Sequence, residues 1–133
     1  MPEAKLSEKK EFSLVKRAES FTHAGRGIWI FLKGTHNAWI HFFLMACAIA
    51  LGFAFGISPL EWIALVLTFG LVLSAEAFNT AIEIDMDLTS PEYHPYAKDT
   101  KDVAAGAVLL SAIAAFAVGL IIFLPRVLEY LGK

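Results

Sequence analysis

The chain has 133 residues, of which 57% are hydrophobic and only 18% charged, at a formal net charge of −2. That balance departs from an ordinary soluble domain, and the absence of a basic surplus argues against nucleic acid as a partner. A length of this order suits a single domain over 1–133.

Charge is unevenly spread. Residues 1–11 are polar and Lys/Glu-rich and read as a loose tail. The lack of an apolar stretch near the N-terminus argues against a cleaved signal peptide. From 13 to 33, Leu14, Ala18, Phe21, Gly25, Ile28 and Leu32 recur at helical spacing, with Arg17, Glu19, Arg26 and Lys33 mostly elsewhere. This pattern predicts an amphipathic helix, too polar to cross a bilayer and suited to lying on its surface.

Residues 42–60 and 103–124 carry no charged side chain. A hydrocarbon layer needs roughly 20 helical residues to cross it, so spans are expected at 37–57, 61–82 and 103–124. Ser58-Pro59-Leu60 forms the turn between the first two, and Pro125 is expected to stop the third. The polar segment between the second and third carries the turn signals Ser90-Pro91 and His94-Pro95. Cys47 lies in the first span and reads as a small apolar residue.

Seven cationic residues (Lys5, Lys9, Lys10, Lys16, Arg17, Arg26 and Lys33) precede the first span, and none lies in the turn after it. Cationic flanks stay in the cytoplasm, so the N-terminus and the Asp85–Asp102 segment are expected inside, where a nucleotide is available.

Glu76, Asn79, Glu83 and Asp87 stand at i, i+3, i+7 and i+11, which places them in a narrow stripe on one helix face. Glu76 follows the apolar run Trp62–Ala75, and an ionised carboxylate at that depth is costly unless compensated. One explanation is a polar seam joining helices, with Glu76 paired to a basic residue. The other is a divalent cation site, because Mg²⁺ takes hard oxygen ligands from one or two carboxylates plus substrate phosphates. Asp85 falls off the stripe, as a solvated residue. Lys101 and Asp102 admit two readings as well: a snorkelling cation beside a helix N-cap, or groups that meet phosphates. The four histidines share no ligand spacing, and His41 reads as an interhelical hydrogen-bonding residue. Ala107, Ser111, Ala115 and Gly119, with Gly52 and Gly56, would let helices approach closely. Three spans enclose little volume, so a homo-oligomer with sites between subunits is expected.

The run Glu76-Ala77-Phe78-Asn79-Thr80-Ala81-Ile82-Glu83, then Asp87, then Ser90 to Pro95 and Lys101-Asp102-Val103-Ala104-Ala105-Gly106, closely resembles the prokaryotic diacylglycerol kinase family, and within it the undecaprenol kinase branch. The similarity reaches upstream to Ser20-Phe21, Asn37 and His41. This resemblance implies a trimeric, multi-pass protein of the bacterial inner membrane that transfers the γ-phosphoryl of ATP to a lipid alcohol with Mg²⁺. It implies Glu76 as general base, Glu83 as magnesium ligand, and Asn79 and Asp87 lining the site. Lys101 and Asp102 would hold the nucleotide, with Glu92 and His94 near it, and Lys16 or Arg17 would approach phosphates from the surface helix. Two positions depart from the family pattern. Thr35 stands where the family usually has Glu, and Trp39 where it has a basic residue. The competing expectations are therefore an impaired member that binds lipid or nucleotide without turnover, and an oligomeric channel or carrier using the acidic stripe as an ion path.

Overall fold

The computed structural model describes residues 13–34 and 36–133, so the tail at 1–11 and Thr35 lie outside the described residues. Four helices follow one another: α1 (Leu14–Gly34), α2 (His36–Phe55), α3 (Pro59–Thr89) and α4 (Pro95–Leu131). The last three are long and apolar enough to cross a membrane. The chain is thus an all-α, multi-pass membrane protein.

The turn between α2 and α3 is built by local chemistry. Gly56 takes φ +61° after the end of α2, and its N–H donates to the Phe53 carbonyl while that of Ile57 donates to Gly52. This closing motif needs a left-handed residue, which glycine supplies without Cβ strain. Ser58 then caps α3: its hydroxyl accepts from the Glu61 N–H, and the Glu61 carboxylate accepts from the Ser58 N–H at 2.7 Å. Pro59 occupies the first turn of α3, where a missing N–H costs nothing.

α3 and α4 pack along most of their length, while α2 and α1 make lighter contacts with them. The α3–α4 pair is antiparallel and pinned at both ends. Arg126 forks onto Glu61 at 2.8 and 2.9 Å at one end, and Lys101 meets Asp87 at the other. The buried apolar cluster of Ile57, Leu65, Ile122 and Phe123 sits near the Glu61–Arg126 end. Gly52 is part of the same region: a Cβ there would lie 2.7 Å from the Trp62 ring, so glycine is what lets α2 approach α3.

Two boundaries differ from the sequence expectation. Pro125 lies inside α4, which runs on to Leu131. The proline removes one amide donor, and next to that gap the Arg126 guanidinium donates to the Ile122 carbonyl at 2.6 Å. Asp102 does not cap α4. The helix starts two turns earlier, where the His94 imidazole accepts from the Tyr96 N–H at 3.2 Å.

Large apolar side chains cover the outer surface of the bundle, among them Phe43, Phe53, Leu67, Leu110, Phe116 and Ile121. A soluble protein would bury them. A helix bundle in lipid presents them to acyl chains instead. On α1, Leu14, Phe21 and Ile28 are exposed and Phe31 is buried.

Candidate functional site

The first turns of α2, the second half of α3 and the start of α4 converge at the end of the bundle opposite the Glu61–Arg126 pair. α3 carries most of the polar residues. Its register sends Leu65, Val72 and Glu76 inward, and Glu76 is only 2% exposed, the one buried ionisable group among the described residues. On α2, Ala38 is buried and His41 follows one turn later on the same face. The two helices therefore meet with an imidazole against a carboxylate. His41 Nε2 and Glu76 Oε1 are 2.8 Å apart. A buried carboxylate without a donor would carry a large desolvation penalty, and this contact offsets part of it.

One turn further along α3, the Asn79 amide donates to the Glu83 carboxylate at 3.4 Å. The other end of the same carboxamide, Oδ1, is buried and has no hydrogen-bond partner. Such an oxygen is a hard donor left free for a ligand. Asn79 also lines an open groove of about 510 Å³ between α3 and α4, together with Ser74, Phe78, Ala104, Ala107 and Ser111.

Beyond Glu83 the stripe emerges into solvent. Lys101 donates to Asp87 at 2.7 Å across the α3–α4 pair, and both side chains remain accessible. Lys98 pairs with Asp102 one turn away on α4. Glu92 and His94 lie in the connection between α3 and α4, with His94 as the N-cap described above and its ring tilted against Tyr96. Asp85 is exposed, away from the stripe.

Glu76, Asn79, Glu83, Asp87, Lys101 and Asp102 thus lie along one end of a single helix pair. Lys16 and Arg17 stand on the first turn of α1. Both are exposed near the start of α1, whereas α1 meets α3 through its later part, at a groove lined by Gly27, Ile30 and Phe31 with Ala77 and Phe78. Trp39 is exposed and tilted against Phe42. No group of three or more His, Cys, Asp or Glu side chains among the described residues forms a preassembled metal cage. Glu83 and the Asn79 oxygen are hard donors of the kind Mg²⁺ accepts beside waters and substrate phosphates.

The interhelical hydrogen bond expected of His41 is made to Glu76, a partner that the sequence does not name. The signal was present. His41 is the sole histidine inside the expected span 37–57, at the same end of the bundle as Glu76.

Comparison with known proteins shows the family. The profile of the family described as prokaryotic diacylglycerol kinase matches residues 22–123. Undecaprenol kinase of Bacillus subtilis is 44% identical over 109 residues, covering 81% of this chain and 88% of that protein. A diacylglycerol kinase of Synechocystis is 40% identical over 111 residues, covering 83% of this chain and 63% of that protein. One from Helicobacter pylori is 30% identical over 110 residues, covering 77% of this chain and 86% of the relative. No solved structure is a significant match. The chain belongs to the prokaryotic diacylglycerol kinase family and is a membrane-embedded phosphotransferase with an alcohol acceptor.

Proposed function

We propose that this chain is an ATP- and Mg²⁺-dependent kinase that phosphorylates the hydroxyl of a membrane lipid, undecaprenol or diacylglycerol, at the cytoplasmic face of the inner membrane. The observation that carries the proposal is the buried Glu76 at the head of an acidic ridge that ends on the accessible Lys101. An apolar alcohol arrives from the bilayer and a triphosphate from water, and this ridge is where the two phases meet. The similarity to undecaprenol kinase supports the lipid class. Seven cationic residues ahead of α2 support a cytoplasmic N-terminus.

The reaction assigns each residue a task. Glu76 accepts the proton of the lipid hydroxyl as its oxygen bonds to the γ-phosphorus, while the bond from that phosphorus to the bridging oxygen breaks and ADP leaves. Burial keeps water from competing with the lipid alcohol. Glu83 and the Asn79 carboxamide oxygen would hold Mg²⁺, with Asp87 beside them. When bound, such an ion would supply neutralisation of charge on the phosphate oxygens. Lys101 exchanges Asp87 for phosphate. Asp102, Glu92 and His94 border the nucleotide, and Lys16 or Arg17 reaches it from α1, which lies on the membrane surface with Leu14, Phe21 and Ile28 in the headgroup layer. Lys16 and Arg17 stand far along α1 from its contact with α3, so a site completed by another copy of the chain, as in a trimer, accommodates them best.

Radiolabelled ATP offered with undecaprenol and diacylglycerol in mixed micelles tests the proposal. Magnesium-dependent transfer to at least one lipid is expected, and no transfer to either by folded protein would remove it. Thr35 and Trp39 favour a second reading, an impaired member, for which the same protein would bind nucleotide or lipid and turn over neither.

A further inference from the structure

We infer that His41 is the positioning residue of the base: its imidazole holds Glu76 in the orientation that receives the lipid proton. This rests on the reading of Glu76 as that base. Glu76 is a flexible side chain, with three rotatable bonds, on a helix in an apolar layer. A carboxylate of that kind is useful only if something fixes where its oxygens point, because small errors in the placement of a proton acceptor lower the rate steeply. The structure provides one such constraint among the described residues. His41 Nε2 lies 2.8 Å from Oε1, and the two side chains are 18% and 3% exposed.

The donor is itself held. Ala38, one turn before His41, is 1% exposed, which brings the start of α2 hard against its neighbours. The rest of α2 is fixed at its far end, where Gly52 admits the Trp62 ring. A helix seated at both ends sets the backbone of His41 beside Glu76. With Nε2–H donating to Oε1, the hydrogen bond is charge-assisted and therefore shorter and stronger than a neutral one. It occupies one carboxylate oxygen and commits Oε2 to the hydroxyl. In the transfer step the proton passes from the lipid oxygen to Oε2. His41 neither gains nor loses a proton and touches no substrate.

A polar strut between α2 and α3 would show the same contact, so the test must separate strut from positioning. The comparison is between His41→Leu, which removes the donor, and His41→Gln, whose amide N–H reaches about as far as Nε2. Both are measured against the unaltered protein in mixed micelles, with melting temperature and gel filtration as checks on folding. For His41→Leu we expect kcat to fall roughly 10- to 100-fold, the scale set by misplacing a reacting group, while KM for MgATP stays within about twofold. For His41→Gln we expect most of that loss to be regained. Wild-type kcat in His41→Leu, equal losses in the two variants, or failure of both to fold would each overturn the inference. Glu76→Gln runs alongside. Near-normal turnover in that variant sinks the base itself, whereas an inactive Glu76→Gln beside a fully active His41→Leu sinks only the role of His41.

Discussion

Lys101 on α4 donates to Asp87 on α3 at 2.7 Å, closing the connection between the two helices with an ion pair that water can reach. Exposed pairs of this kind contribute little to stability. The lysine can therefore leave its carboxylate at small cost, and on the proposed function the pair is the resting arrangement of the nucleotide site.

Removing the cation should show in nucleotide use and not in folding. Lys101→Ala is expected to raise KM for ATP about tenfold, the size of one charge-assisted hydrogen bond, with an unchanged melting temperature. An unaltered KM would place the triphosphate elsewhere.

Glu76→Gln keeps the shape of the side chain and its capacity to accept from His41, and it removes the proton acceptor. Transfer to lipid should fall about 10²- to 10⁴-fold, while binding of a fluorescent ATP analogue remains. Titration of the analogue and a single-turnover assay on the same preparation would measure both.

The family resemblance ties position 35 to the metal. Thr35→Glu would restore the carboxylate that the family usually carries there, and the half-saturating Mg²⁺ concentration should drop. An unchanged magnesium curve would mean that residue 35 does not face the ion.

At the opposite end of the bundle, Arg126 grips Glu61 with both terminal nitrogens. Arg126→Leu leaves the partly buried Glu61 without its cation and should lower the melting temperature in detergent by several degrees. Turnover measured well below that temperature should hold, because the pair is remote from Glu76.

Gly52→Ala tests the close approach of α2 to α3. Its Cβ would fall 2.7 Å from the Trp62 ring, which is itself packed against Phe53 with centroids 4.9 Å apart. Overpacking of this sort costs ~1–3 kcal/mol. Trp62→Phe in the same chain should recover part of the loss, as read by thermal unfolding.

Much of this architecture was legible in the residues, because lipid imposes simple rules. A charge-free run the thickness of a bilayer has to be a helix, and 103–124 announced α4 without ambiguity. The stripe from Glu76 to Asp87 was equally plain, since a period of 3.6 residues fixes which side chains share a face. Long-range partners were not. Glu61 and Arg126 are 65 positions apart, and nothing local marks them as a pair. Pro125 suggested a helix end because its amide is missing, yet the surrounding apolar turns and the neighbouring guanidinium carry α4 past it. Asp102 resembled a cap because it stands at the edge of the apolar run. The helix ignores that edge and begins at the turn set by His94 and Pro95. Hydropathy reports where lipid starts, and hydrogen bonding decides where a helix starts.

The Glu61–Arg126 fork also sets a scale of depth. On the proposed orientation it sits at the outer leaflet, and fifteen residues of α3 separate Glu61 from Glu76, about 22 Å at 1.5 Å per residue. Hydrocarbon is about 30 Å thick, so Glu76, the proposed proton acceptor, hangs from the far leaflet on a rigid rod that stops short of the cytoplasmic interface. Lipid thickness then becomes a variable of the chemistry: a thicker bilayer sets the carboxylate deeper below the headgroups that carry the alcohol, and a thinner one lifts it toward them.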